Sequence, residues 1–179
     1  MRNVSYYPVE VTANTKKGIA EQRAENLDIL NATNVIELCC GPSLSVLGSA
    51  YNEYDIKVTG NDIDPRYEGY APDYPWLIGD CFEVDTKQYD FIVFAPPLSK
   101  GCSGRREDSL SIFDVTPSYL DALDCFKDQN LCLTLPGKSL STSKDRAEFY
   151  KLLSLINRPF EVVLLKQKVT KYIDIYIRL

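Results

Sequence analysis

Apolar residues fall in short bursts along this chain, each ended by turn-forming residues. Val35-Ile36-Glu37-Leu38 stops at Cys39-Cys40-Gly41-Pro42, and Ile56-Lys57-Val58-Thr59 stops at Gly60-Asn61-Asp62. Trp76-Leu77-Ile78 stops at Gly79-Asp80, Phe91-Ile92-Val93-Phe94 at Ala95-Pro96-Pro97, and Leu131-Cys132-Leu133-Thr134-Leu135 at Pro136-Gly137. Bursts this short, apolar on both faces, predict buried strands of a parallel sheet. Helical spacing fills the intervals. Ile19, Ala20, Ala24, Leu27, Ile29 and Leu30 predict a helix over 16–30 capped by Thr15, and further helices are expected over 43–51, 117–126 and 143–156. Strands alternating with helices predict an α/β domain with helices on both faces of a mainly parallel sheet.

The C-terminus breaks that alternation. Strands are expected over 160–165 and 172–179, joined by 166–171. That connection is too short for a parallel crossover, so the pair should be antiparallel. The expected fold is a single Rossmann-like domain whose mostly parallel seven-stranded sheet ends in an antiparallel C-terminal hairpin. No repeat or linker divides the chain, so residues 1–33 read as an N-terminal extension and helix, and 34–179 as the main domain. The hairpin shifts weight away from NAD-binding enzymes.

Composition narrows the chemistry. The 179 residues are 45% hydrophobic and 25% charged, as expected of one globular domain. Histidine is absent, which excludes Ser-His-Asp hydrolysis, Cys-His proteolysis, His-ligated metals and histidine acid–base catalysis. The six cysteines, Cys39, Cys40, Cys81, Cys102, Cys125 and Cys132, form no C-x-x-C pair, so no metal site is expected. They read as free thiols of a reducing, cytoplasmic compartment. The N-terminus has no apolar signal-peptide core, and no apolar run approaches the ~20 residues of a membrane span. A net charge of −5 argues against a uniformly basic nucleic-acid binder and leaves room for a local basic face.

Candidate chemistry gathers at the strand ends, where ligands bind in open α/β sheets. The turn Cys39-Cys40-Gly41 follows Glu37 and opens a helix, letting a ligand approach the backbone. Asp62, ending the next strand, can accept both hydroxyls of a ribose, and Asp80 ends the third strand beside Cys81-Phe82. The plainer reading is a set of strand-end turns with solvated acids.

With these residues the chain resembles the class I S-adenosylmethionine-dependent methyltransferases. In that family the first loop reads acid-x-Gly-x-Gly-x-Gly, the second strand ends in Gly-x-Asp-x-x-Pro, and the sheet finishes with an antiparallel hairpin. The resemblance covers about residues 33–179, with Cys39 and Ser43 standing where the family has glycine. It implies S-adenosylmethionine as cofactor. Glu37, Cys39 and Gly41 would lie at its methionine part, Asp62 at the ribose, Ile63 against the adenine, and Asp80 with Cys81 at the adenine amine.

Ala95-Pro96-Pro97-Leu98 is similar to the Asn/Asp-Pro-Pro-aromatic motif of methyltransferases acting on exocyclic amines of nucleobases. The similarity implies that 95–98 form the catalytic loop, with backbone carbonyls at Ala95 and Pro96 accepting from the target amine. The alternative is that the prolines only rigidify the loop. Cys102 invites comparison with cytosine-C5 methyltransferases, but it lies five residues beyond Pro97 and reads as a loop thiol. If the hairpin turn lies at the active end, Lys166, Lys168 and Lys171 join Lys100, Arg105, Arg106 and Lys138 around one rim. Lys100, Arg105, Arg106 and Lys138 are the candidate substrate-binding cations. Such a rim suits nucleic acid, RNA above DNA, or equally keeps a sheet edge soluble. The expected function is methyl transfer to a nucleobase nitrogen. The alternatives are a small-molecule acceptor, with residues 67–74 as a tyrosine-rich lid, and a non-catalytic binding module of the same fold.

Overall fold

The computed structural model describes residues 17–97, 111–167 and 170–179. Helix α1 (Lys17–Ile29) leads into β1 (Asn34–Leu38), α2 (Leu44–Asn52), β2 (Lys57–Asp62), β3 (Trp76–Ile78) and β4 (Phe91–Phe94). Then come α3 (Tyr119–Cys125), β5 (Leu131–Pro136), α4 (Ser143–Ser154), β6 (Phe160–Gln167) and β7 (Thr170–Ile177). The seven strands form one sheet in the order β3-β2-β1-β4-β5-β7-β6. All pairs among the first five are parallel, and β7 is antiparallel to both β5 and β6. The expected Rossmann-like α/β fold with its C-terminal hairpin is present.

Alternation along the buried strands feeds two cores. Ile36, Leu38, Ile92, Phe94, Leu131, Leu133 and Leu135 pack with Tyr119, Ala122, Phe149 and Leu152 of α3 and α4. Val35, Val58, Phe91, Val93 and Cys132 pack on the opposite face with Ala20, Ala24 and Leu27 of α1 and Leu44, Leu47 and Tyr51 of α2. Helix α4 begins with a complete capping box, Thr142 and Asp145 each accepting the other's backbone N–H.

Apart from shifts of one or two residues at other element ends, two boundaries differ from the sequence expectation. Gly60-Asn61-Asp62, read as a turn, belongs to β2, because Gly60 and Asn61 pair with Glu37 and Leu38 on one side and with β3 on the other. Gly60 is needed there for close approach: a Cβ would stand 2.5 Å from Leu44 Cδ2 and 3.2 Å from Cys40 Sγ. The C-terminal strands reach Gln167 and Thr170, so the connection expected over 166–171 shortens to 168–169. Thr15, the expected cap of α1, lies outside the described residues.

Candidate functional site

Strand order reverses between β1 and β4, so the loops after these strands diverge and open a crevice at their carboxyl ends. The loop after β1 holds two residues in the left-handed region, Cys39 at φ 58° and Gly41 at φ 53°. A Cβ on Gly41 would meet nothing within 4 Å, so the turn faces open space. The Cys40 N–H donates to the Asn61 carbonyl at 3.1 Å. The Gly41 N–H donates to Asp62 Oδ2 at 2.9 Å, and the Asp64 N–H to Asp62 Oδ1 at 3.1 Å. Asp62 is half-buried. Burial raises its carboxyl above the usual range, partly opposed by those backbone donors. The Ile63 N–H acts on the same carboxylate, whose roughly four acceptor sites outnumber these backbone donors. Asp64 is held by the Arg66 guanidinium, with Nε 2.9 Å from Oδ1, which lowers its carboxyl.

Beside Asp62, the side chains of Ile63 and Ile78 are 54% and 44% exposed. Asp62 pairs with Ile78 across β2 and β3, so the carboxylate sits next to an uncovered apolar surface. Asn61 fixes the neighbouring turn, its Nδ2 donating to the carbonyls of Leu77 at 2.8 Å and Gly79 at 3.2 Å. Asp80 is exposed and accepts the Phe82 N–H at 2.9 Å. Cys81 is buried in the cluster against which Cys39 packs, and its neighbouring thiol and burial hold the Cys39 thiol well above its ordinary range.

Glu37 is placed differently from its expected position at a ligand. It is fully buried, accepts from the Tyr51 hydroxyl and lies 3.7 Å from the Arg23 guanidinium. Arg23 also donates to Asp174 at 2.7 and 3.0 Å and to Thr134 Oγ1 at 2.8 Å. Burial raises the Glu37 carboxyl, with Arg23 acting in the opposite sense, and its Oε2 finds no partner among the described residues. Glu37 therefore ties the end of β1 to α1 and α2 and offers no exposed oxygen.

At the end of β4, Ala95 is half-buried, Pro96 buried and Pro97 exposed, and the Ala95 N–H donates to the Leu38 carbonyl at 3.2 Å. The start of this loop is thereby fixed to the end of β1. Leu98, Lys100, Cys102, Arg105 and Arg106 lie outside the described residues, as do the side chains of Lys168 and Lys171. Of the expected rim, Lys138 is half-buried in the loop after β5, where desolvation lowers its ammonium, and Lys166 is exposed. The tyrosine-rich stretch is anchored at its end: the Tyr74 ring fills the space beside Gly48 of α2, and Asn52 Nδ2 donates to its hydroxyl at 3.3 Å. Of its three tyrosines Tyr70 alone is exposed, at 48%.

Three residues of this region escaped the sequence reading. Arg23 interrupts the apolar stripe of α1, Asp174 interrupts Tyr172-Ile173-Asp174-Ile175-Tyr176, and Ile78 is an apolar strand end followed at once by Gly79-Asp80. A charge at a core position is a readable signal for a buried partner. Among the described residues no helix is long and apolar enough to cross a membrane, and no group of three or more acids and cysteines is placed to hold a metal ion.

No protein-family model matches this sequence, and no curated protein does either. Solved structures do match in fold. The hMettl16 catalytic domain in complex with the MAT2A 3′UTR hairpin 6 superposes with a TM-score of 0.61 at 14% identity, covering 97% of this chain and 74% of that one. The human methyltransferase 10 domain containing protein gives 0.60 at 13% identity, covering 97% and 86%. The N-methyltransferase NodS from Bradyrhizobium japonicum WM9, in complex with S-adenosyl-L-homocysteine, gives 0.57 at 14% identity, covering 98% and 93%. With its strand order, reversed hairpin and these neighbours, the chain has the Rossmann-like fold of the class I S-adenosylmethionine-dependent methyltransferases.

Proposed function

We propose that this protein is an S-adenosylmethionine-dependent methyltransferase acting on a nucleobase nitrogen, in RNA above DNA. The observation that carries the reading is Asp62, a half-buried carboxylate with acceptor capacity to spare, set between the open Gly41 turn and the exposed Ile63 and Ile78. That arrangement fits a nucleoside: carboxylate to ribose hydroxyls, apolar surface to a flat base, and the open turn to the amino-acid end. Asp80 with Cys81 borders the base edge, while Cys39 shapes the turn, and Glu37 holds the end of β1 from beneath through Tyr51 and Arg23. When bound, the cofactor supplies a methyl group already activated by the adjoining sulfonium, so transfer is an in-line displacement that needs no histidine.

The chain's part is positioning. Ala95 and Pro96, fixed to β1 through Leu38, would orient an exocyclic amine by their carbonyls, with Pro97 and Leu98 completing the loop. Lys100, Arg105, Arg106 and Lys138 would hold phosphates. The hairpin-bound neighbour supports a structured nucleic-acid acceptor. A small-molecule acceptor is the second reading. It is favoured by the half-burial of Lys138, which suits one anionic group better than a tracking phosphate backbone.

Labelled methyl transfer to a panel of RNA hairpins and small amines tests the assignment. Transfer to RNA that collapses between about 50 and 200 mM salt supports the first reading. Salt-insensitive transfer to small amines alone supports the second.

A further inference from the structure

β6 is the outer strand of the sheet. The Arg178 N–H bonds the Pro159 carbonyl at 2.9 Å, in the same register that sets Phe160 opposite Ile177. In an antiparallel ladder hydrogen-bonded pairs alternate, so Glu161, Val163 and Leu165 bond to β7, while Phe160, Val162, Leu164 and Lys166 aim their N–H and C=O groups outward. Lys166 bears this out. Gln22 Nε2 donates to its carbonyl at 3.0 Å, and Gln22 Oε1 accepts its N–H at 3.1 Å. One side-chain amide of α1 thus takes the place of a neighbouring strand and closes that end of the edge.

The outward groups of Phe160, Val162 and Leu164 have no such cover among the described residues. The side chains of the same three residues are 36%, 43% and 49% exposed. They stand on the sheet face of Ile173, Ile175 and Ile177, so the edge continues an apolar core surface into solvent. Within 160–165 there is no proline, glycine or lysine of the kind that protects free edges.

We propose that two copies of this chain associate through their β6 edges, antiparallel, about a two-fold axis at Val162 perpendicular to the sheet. In that register Val162 faces Val162, and Phe160 faces Leu164 of the second copy. All the outward backbone groups of the three residues find partners, the apolar side chains meet on one face, and the Gln22-capped Lys166 marks the limit of pairing.

Charge is compatible with this occupant despite the chain's net −5. Glu161, the one carboxylate on the strand, projects from the other face and is neutralised by Arg178 at 3.2 Å, so no like charges are opposed. Pairing over so few residues lies below the ~1,200 Å² of stable interfaces, so the dimer is weak and forms only at high protein concentration.

Sedimentation of the full chain from about 1 to about 300 µM tests this, comparing wild type with Val162→Lys and Ile29→Lys. Both replaced side chains are exposed, so circular dichroism and thermal midpoint should stay as in wild type. The expected result is a concentration-dependent wild-type dimer, weakened at least about tenfold by Val162→Lys and unchanged by Ile29→Lys. A wild-type monomer throughout overturns the proposal and leaves the edge to a strand of another protein. A dimer indifferent to Val162→Lys overturns it by placing the contact on another surface.

Discussion

The carboxylate of Asp62 accepts the backbone N–H of Gly41 at 2.9 Å, so the residue that ends β2 also holds the turn that ends β1. One side chain sets the shape of the turn and presents charge beside it. Because burial raises this carboxyl, the folded state keeps its proton to higher pH than the unfolded chain does. The stability it contributes is fully present below the unfolded value of about 3.9 and is lost as pH rises through the folded value. Asp62→Asn removes that titration. Urea unfolding across pH 4–7 should show the variant losing less stability with rising pH than wild type; the residual slope belongs in part to Glu37, which burial shifts in the same direction.

Arg23 is the single cation among Glu37 and Asp174, all three at most 2% exposed. Removing one partner from a buried ion pair leaves a charge without compensation, at a cost of about 3–5 kcal/mol. Arg23→Ala should therefore lower the urea midpoint sharply. Asp174→Asn, which keeps an acceptor, should cost less.

Gly60→Ala tests the packing of the β1 turn on β2. A Cβ there meets Leu44 Cδ2 at 2.5 Å, and overpacking a buried position costs about 1–3 kcal/mol. At Cys39, held at φ 58°, a β-branched residue is strained further and glycine is relaxed. Cys39→Val should destabilise more than Cys39→Gly by about 1 kcal/mol or more, read from chemical denaturation.

Ile63 and Ile78 contribute little to the folded core because each is about half exposed. If they receive the adenine, Ile63→Ala should leave the thermal midpoint unchanged while weakening S-adenosylmethionine binding by about fivefold, equivalent to roughly 1 kcal/mol of buried apolar contact. Equal affinity in the variant would detach Ile63 from the site.

The strand bursts and the reversed hairpin were legible in the sequence because period and connection length act locally. Asp62 was legible too, since a strand-end acid is a position that sequence spacing reveals. The true end of β2 was hidden, because Gly60 and Asn61 look like a turn until β1 and β3 pair with them on both sides. Glu37 was expected at the methionine part of the cofactor from the family resemblance, and its burial was not legible. Its partners Arg23 and Asp174 lie in α1 and β7, brought together only by the completed sheet, and no local pattern joins them. The approach of Cys39 to Cys81 likewise depends on how two loops pack.

Calorimetric titration with S-adenosylmethionine tests the central claim most directly. The account predicts binding in the micromolar range, weakened at least about tenfold by Asp62→Ala, which removes both the ribose acceptor and the hold on Gly41. Absence of binding at about 1 mM cofactor, or binding unaffected by Asp62→Ala, would contradict it.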